Sequence, residues 1–156
     1  CKELEQRGAD VVGMNCFRGP ATMLPYLKEI RKAISCHMAA LPLPFRTTEE
    51  NPTFFNLPDN NGCTCQAPHG RTFPTALDPL YCNRYEMRAF FEEVNRIGIK
   101  LLGVCCGATP MHQREVAEAV GKTVPASMYR EKMANHFMYG TNERTAKHMQ
   151  EYGDKA

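Results

Sequence analysis

The sequence predicts an α/β fold in which short parallel strands alternate with amphipathic helices. Apolar runs bounded by glycine, at residues 8–16 and 98–106, are too short for helices and are typical of buried strands. Between and after these runs, apolar residues recur at helical spacing behind positions that suit helix starts. Strands that alternate with helices in this order favour parallel βα units.

The two glycine-bounded runs also match each other at a fixed offset, and each reads glycine, apolar run, glycine, cysteine. If both strands lie in one parallel sheet, Cys16 arrives at the same edge as Cys105 and Cys106. Three thiols that converge at the carboxyl edge of a parallel sheet form a metal-site geometry, and they leave a fourth position for chemistry. Adjacent residues of a regular strand point to opposite faces, so both neighbouring cysteines can bind one ion only if the backbone bends there. Gly107 makes such a bend easy.

The remaining elements follow in order along the chain. Residues 1–7 read as the last turns of a helix before the first strand. After Cys16, a short loop leads to Pro20, a residue favoured in a first helical turn. The helix that starts there has apolar residues at helical spacing, namely Leu24, Leu27, Ile30 and Ile34. Residues 34–41 read as the second strand.

Residues 43–82 are rich in proline and have little periodicity. A loop of this length in a compact domain is usually functional or an interaction element. Regular structure returns with a helix that has capping-box spacing at Asn83 and Glu86. Its apolar face consists of Met87, Phe90, Phe91, Val94 and Ile97. Residues 99–104 then read as the third strand.

A last helix is predicted from Thr109 and Pro110, a cap followed by a first-turn proline, to Gly121. The tail from about residue 122 is polar with loosely spaced apolar residues. Three βα units do not close a barrel, since an eight-unit barrel needs about 250 residues. An open three-stranded sheet exposes two edges and one apolar face. We therefore expect further strands to come from a longer chain or from a partner.

The composition excludes several classes of function. The 156 residues carry a net charge of +2, which gives neither a nucleic-acid surface nor a polybasic membrane tail. No apolar run approaches the roughly 18–20 residues of a membrane span, and no signal peptide is visible. The eight cysteines lie at strand ends and in one loop, unlike the even spacing of a secreted disulfide scaffold. We expect reduced thiols and a cytoplasmic protein.

Two motifs carry a family resemblance. Residues 103–107, Gly-Val-Cys-Cys-Gly, with the Ala-Thr-Pro-Met-His that follows, resemble the strand-eight signature of the homocysteine S-methyltransferase family. Residues 13–16, Gly-Met-Asn-Cys, resemble its strand-six motif. The resemblance implies that residues 1–123 are part of a (β/α)8 TIM barrel, namely strands six to eight with their helices. Residues 124–156 would be a C-terminal extension, which builds homo-oligomers in the betaine-dependent branch of the family.

The resemblance also implies the chemistry. The family's zinc ligands correspond to Cys16, Cys105 and Cys106, so Zn2+ is the implied cofactor. The implied reaction moves a methyl group from betaine, or a related onium donor, to homocysteine and gives methionine. The sequence does not identify the donor, because the zinc-binding part of the site is the same for betaine, sulfonium and folate donors. Most groups that contact the donor in the family come from strands absent here, so we expect residues 1–156 alone to be inactive.

Other candidate residues have structural interpretations that are favoured over functional ones. A role as small buried or loop thiols is favoured for Cys36, Cys63, Cys65 and Cys82. Packing of the long loop is favoured over a cage for a methylated cation at Phe54, Phe55 and Tyr81.

For His112, a surface or packing role is favoured over catalysis. Asn15 either supports the neighbouring ligand through hydrogen bonds or caps the strand end. The alternative function is a non-catalytic structural or scaffold protein that retains the barrel. The complete set of three cysteines favours the enzyme, since a scaffold does not need it.

Overall fold

The computed structural model describes residues 1–58, 72–74 and 76–129, together with residues 151 and 155. The chain divides into two compact units, Cys1–Val124 and Pro125–Ala156. The first unit has the elements α1 (Lys2–Gln6), β1 (Val11–Asn15), α2 (Pro20–Ala33), β2 (His37–Leu41), α3 (Arg84–Arg96), β3 (Leu101–Leu102) and α4 (Pro110–Ala119). In the second unit, Pro125–Tyr129 forms a 3-10 helix. Within these described ranges, no helix has both the length and the apolar character needed to cross a membrane.

The three strands form one parallel sheet in the order β1-β2-β3. The last pair along β1 and β2 joins Asn15 to Leu41, and Ala40 pairs with Leu102 on β3. The predicted α/β architecture with a parallel sheet is therefore confirmed. The assignment of these strands to positions six to eight of a TIM barrel stays a prediction.

The third strand is shorter than the predicted span of 99–104. Only Leu101–Leu102 forms a regular ladder, although the N–H groups of Gly103 and Cys105 still bond to carbonyl groups of the middle segment. The acceptor of the Cys105 N–H is Pro42, and because proline has no N–H it cannot return the bond. The ladder therefore ends before the two neighbouring cysteines.

The second strand also starts later than predicted, at His37. The residues before it are used by other elements. Arg31 on α2 donates hydrogen bonds to the carbonyl groups of Ile34 and Cys36, and Glu5 on α1 accepts from the N–H groups of Ser35 and Cys36. These contacts hold the connection between α2 and β2 outside the sheet.

The main core lies between one face of the sheet and the helices. Its buried members include Val12, Met23, Leu27, Met38, Met87, Phe91 and Val94. The opposite face of the sheet carries exposed apolar side chains, among them Val11 on β1 and Leu101 on β3. An apolar sheet face of this kind is what the sequence predicts for strands that need further strands to cover them.

A second apolar cluster forms at the carboxyl end of the strands, where the long loop begins. Its buried members are Leu43, Phe45, Phe54 and Leu57. The described part of the loop contains two short 3-10 helices, Phe54–Asn56 and Asp78–Leu80. Cys16 and Cys105 pack against this cluster, so the loop forms one wall of the thiol site.

Candidate metal centre

Three free thiols meet beyond the carboxyl ends of β1 and β3. The Sγ atom of Cys106 lies 3.7 Å from that of Cys16 and 3.7 Å from that of Cys105. All three sulfur atoms lie within 4.8 Å of one another. Sulfur ligands at the usual zinc distance of about 2.3 Å in a tetrahedron are about 3.8 Å apart. The spacing therefore fits one zinc ion with a fourth position left open.

The middle strand positions both ligand-bearing loops. The backbone N–H of Cys16 donates to the carbonyl of Leu41 at 3.0 Å, and that of Cys105 donates to the carbonyl of Pro42 at 2.9 Å. These two acceptors are consecutive residues at the end of β2. The separation between the ligands from β1 and from β3 is therefore fixed by a single peptide unit of the strand between them.

The first ligand lies at an unusual turn. Cys16 has a φ of +68° and Phe17 a φ of +63°, although neither is glycine. The N–H of Arg18 donates to the carbonyl of Cys16 at 2.8 Å, which closes a γ-turn centred on Phe17. Positive φ is costly for residues with a Cβ atom and is concentrated at functional sites. Sequence reasoning missed this turn because no glycine or asparagine marks its centre.

The second loop bends where the sequence predicts. Cys105 and Cys106 lie beyond the end of β3, so strand alternation does not separate their side chains. Gly107 follows with a φ of +83°. The hydroxyl of Tyr81 donates to its carbonyl at 2.8 Å and holds the bend against the long loop. The predicted bend at Gly107 is therefore confirmed.

Phe45 contacts both ligand-bearing loops. A Cβ atom built on Gly19 would come within 1.8 Å of the Phe45 backbone oxygen, and one on Gly107 would come within 2.7 Å of the Phe45 ring. Gly19 is also fixed by a hydrogen bond from its N–H to the Thr47 hydroxyl at 3.0 Å. The buried residue Phe45 thus limits how closely the two ligand-bearing loops can approach it, and only glycine fits at the two contact points. No periodicity marks this residue in the sequence.

The thiols differ in how readily they ionise. Burial, together with the hydrogen bond to the sulfur of Cys16, raises the pKa of Cys105 to about 11. Burial acts in the same direction on Cys16, but hydrogen bonds from the Cys105 thiol and the Phe17 N–H outweigh it and lower the pKa of Cys16. A nearby cation would favour the thiolate form of the whole set.

Two other predicted thiols lie apart from this centre. Cys82 is buried, and that burial raises the pKa of its thiol to about 12, which keeps it neutral. Cys36 is half-buried immediately before β2, and burial followed by the charge of Glu5 raises the pKa of its thiol. The structural interpretation of both residues is thus supported. Cys63 and Cys65 lie outside the described residues.

His112 is a buried structural residue. Its Nδ1 accepts the N–H of Thr109 at 3.0 Å, so it caps the start of α4. Since Nδ1 is an acceptor, Nε2 carries the proton and donates to the carbonyl of Cys82 at 3.2 Å. The packing role is confirmed, and the surface alternative is wrong because the ring is enclosed between the Cys82 carbonyl and the ring of Tyr81.

The remaining candidates divide between packing and exposure. Phe54 is buried, and the ring of Tyr81 packs against that of Phe45 in a tilted arrangement with centroids 4.9 Å apart, so both pack the loop as predicted. Phe55 keeps 37% of its surface exposed. Asn15 lies exposed at the last pair of β1 and β2, and its role stays a prediction.

Comparison with known proteins gives one consistent result. The family model for homocysteine S-methyltransferase matches residues 1–120. The chain is 35% identical over 119 residues to betaine–homocysteine S-methyltransferase 1 of Danio rerio, which covers 74% of this chain and 27% of that protein. It is 29% identical over 122 residues to the S-methylmethionine–homocysteine S-methyltransferase of Mus musculus, covering 74% of this chain and 30% of that protein. The chain thus spans less than a third of the length of these relatives.

Proposed function

Since the chain belongs to the homocysteine S-methyltransferase family, we propose that its protein transfers a methyl group to the sulfur of homocysteine and forms methionine. The observation that carries the proposal is the set of three thiols beyond the carboxyl ends of a parallel sheet, in which the Cys106 sulfur lies 3.7 Å from each of the other two. Active sites of (β/α)8 barrels lie at this end of the strands. The relatives are named for betaine and for S-methylmethionine, so the proposed donor is betaine or a related onium compound.

The proposed metal is Zn2+, held by Cys16, Cys105 and Cys106. The sulfur spacing supports this set, and three protein ligands with one open position are the pattern of catalytic zinc. Bound there, zinc supplies the positive charge that keeps a substrate thiol in its thiolate form at neutral pH. A free thiol of this kind has a pKa of about 8.5, and the thiolate is the nucleophile.

The reaction itself forms one bond and breaks one. The substrate sulfur loses its proton and uses an electron pair to bond the methyl carbon of the donor. The bond from that carbon to the donor's positive nitrogen or sulfur breaks, and its electron pair leaves with the now neutral amine or thioether. Such a displacement needs the two reactants held in line. The protein's part is this positioning, which the fixed loops around Cys16 and Gly107 support.

The surrounding assembly is part of the proposal. We assign residues 1–123 to strands six to eight of a TIM barrel, with residues 124–156 as an extension that serves a cytoplasmic homo-oligomer. The exposed side chains of Val11 and Leu101 support further strands on the open sheet face. By this proposal, residues 1–156 alone neither fold stably as a monomer nor catalyse the reaction.

The test is an assay of the full-length protein with homocysteine and either betaine or S-methylmethionine, together with its zinc content. We expect methionine with at least one donor and one zinc per barrel. Zinc binding without transfer from either donor would contradict the enzyme and favour the scaffold alternative. Transfer that survives complete zinc removal would contradict the role of the thiols.

A further inference from the structure

Phe17 occupies a position that the fold alone does not explain. Its φ of +63° follows a φ of +68° at Cys16, and the γ-turn at this point would be easier for glycine. The N–H of Phe54 donates to the carbonyl of Phe17 at 3.1 Å, and the N–H of Leu43 donates to the carbonyl of Arg18 at 2.9 Å. The backbone of the turn is thus held in place on both sides.

The side chain of Phe17 does not contribute to the core. It keeps 53% of its surface exposed, although it is a large apolar residue in a strained conformation. The exposed ring directly follows a metal-ligand candidate in the chain, so it is accessible to a ligand bound beside that residue.

Phe17 continues an aromatic surface that reaches the thiol site. Its ring centroid lies 5.6 Å from that of Phe55, which lies 4.1 Å from that of Phe54 and 4.8 Å from that of Phe73. Cys16 and Phe73 both pack against the apolar cluster that contains Phe54. Of these rings, Phe17 and Phe55 are the exposed pair, and we call them the aromatic patch.

We infer that the aromatic patch, Phe17 and Phe55, contacts the methylated cation of the methyl donor and so helps to select it. This inference rests on the proposed function and deepens it. An onium group carries its positive charge over the methyl groups, and aromatic faces attract such cations. Phe17 directly follows Cys16 in the chain, and this keeps one ring of the patch beside the site where the acceptor sulfur is proposed to lie.

The experiment measures steady-state kinetics of the zinc-loaded, full-length protein with Phe17→Leu, Phe55→Leu and the double substitution. For betaine and for S-methylmethionine, we expect the donor KM to rise about threefold to thirtyfold in the double variant. The KM for homocysteine and the zinc content stay within about twofold, because leucine keeps an apolar side chain without the aromatic face. The single variant Phe17→Tyr keeps the donor KM at the wild-type value, since it retains an aromatic ring.

Two controls separate cation recognition from simple packing. Tyr85→Leu removes an exposed aromatic residue on α3 that is not part of the patch, and its kinetics stay at the wild-type level. The second control is 3,3-dimethylbutanoate, which has the shape of betaine with carbon in place of the charged nitrogen. Its inhibition constant stays unchanged in Phe17→Leu.

An unchanged donor KM in an active double variant would overturn the inference and leave the proposed function intact. An equal loss of affinity for betaine and for the neutral analogue would also overturn it, because the patch would then act by shape alone. A rise in the homocysteine KM without a rise in the donor KM would overturn it as well, since the rings would then serve the other substrate. Absence of any methyl transfer in the wild-type protein would instead reject the proposed function itself.

Discussion

The ring of Phe45 lies directly over Gly107, where a Cβ atom would come within 2.7 Å of the ring carbon Cζ. The backbone oxygen of Phe45 covers Gly19 in the same way on the other ligand-bearing loop. Both loops also bond to consecutive carbonyl groups at the end of β2. The distance between the candidate zinc ligands is therefore set by residues that do not bind the metal themselves.

Gly107→Ala is the direct test of this packing. The substitution combines a φ of +83° with the contact to Phe45, so we expect a loss of about 2–4 kcal/mol in the free energy of unfolding. We also expect zinc affinity to fall at least about tenfold, since ligand-supporting contacts typically change affinity by that order. Urea unfolding and competition with a chelator measure the two effects in the full-length protein.

Gly121→Ala is the matched control for that substitution. Gly121 has a φ of +79°, but a Cβ atom added there would meet no atom within 4 Å, so only the backbone cost of about 1–2 kcal/mol remains. We expect the zinc affinity of the Gly121→Ala variant to stay at the wild-type value. Equal losses of stability and of zinc affinity in both variants would show that the contact with Phe45 has no role.

Cys106→Ala removes the thiol that lies 3.7 Å from both other candidate ligands. We expect zinc content to fall from one per barrel to near zero and turnover to be abolished, because the substrate thiolate is no longer favoured. A higher substrate concentration does not restore the rate. Cys36→Ala, which changes a thiol outside the cluster, keeps zinc and turnover. Near-normal turnover of a metal-free Cys106→Ala protein would refute the mechanism.

His112→Ala separates structure from catalysis. The change removes the cap of α4 and leaves the carbonyl of Cys82 without its buried donor, so we expect a loss of about 2–4 kcal/mol in the free energy of unfolding. The folded fraction keeps its zinc and its kcat, because the ring contacts backbone groups rather than the thiols. Met111→Ala, at the neighbouring and more exposed position, changes stability much less. A variant of unchanged stability with a reduced kcat would point to a catalytic role instead.

Glu86 gives a prediction for pH. Hydrogen bonds from Arg46, with a smaller contribution from the N–H of Asn83, lower the pKa of Glu86 against the effect of burial. Because the folded-state pKa lies below the unfolded-state value, the stabilisation is present above the unfolded value and is lost as the pH falls through the folded one.

We therefore expect Glu86→Gln to be less stable than wild type by about 1 kcal/mol at pH 7, a figure kept small because both partners are more than a third exposed. The difference shrinks as the pH falls below the ordinary carboxylate pKa of about 4.3. Urea unfolding at several pH values measures it, with Glu92→Gln as the control on the exposed side of α3. A difference that is constant across the pH range would contradict the assignment.

Much of the fold follows from local signals in the sequence. The capping box of Asn83 and Glu86 forms as its spacing predicts, and α4 begins at Pro110 after Thr109. The offset between the two cysteine motifs places Cys16 beside Cys106, because parallel strands of one sheet bring equivalent positions to one edge. These features depend on residues close in sequence or on a repeated pattern.

The rest depends on contacts between distant segments, which no periodicity reveals. The early end of β3 comes from its pairing with Pro42, which lies in a distant part of the chain. The γ-turn at Phe17 is maintained by hydrogen bonds from Leu43 and Phe54. Phe45 has no helical or strand period, yet it contacts both ligand-bearing loops. The predictions for Cys63 and Cys65, and for most of the C-terminal tail, fall outside the described residues.

The central claim is that Cys16, Cys105 and Cys106 bind one zinc ion and leave a position for the substrate sulfur. Zinc-edge X-ray absorption of the full-length protein, with and without homocysteine, tests it most directly. The account predicts three sulfur neighbours at about 2.3 Å and a fourth when homocysteine is added. A protein without zinc, or a sulfur count that does not rise with homocysteine, would contradict it.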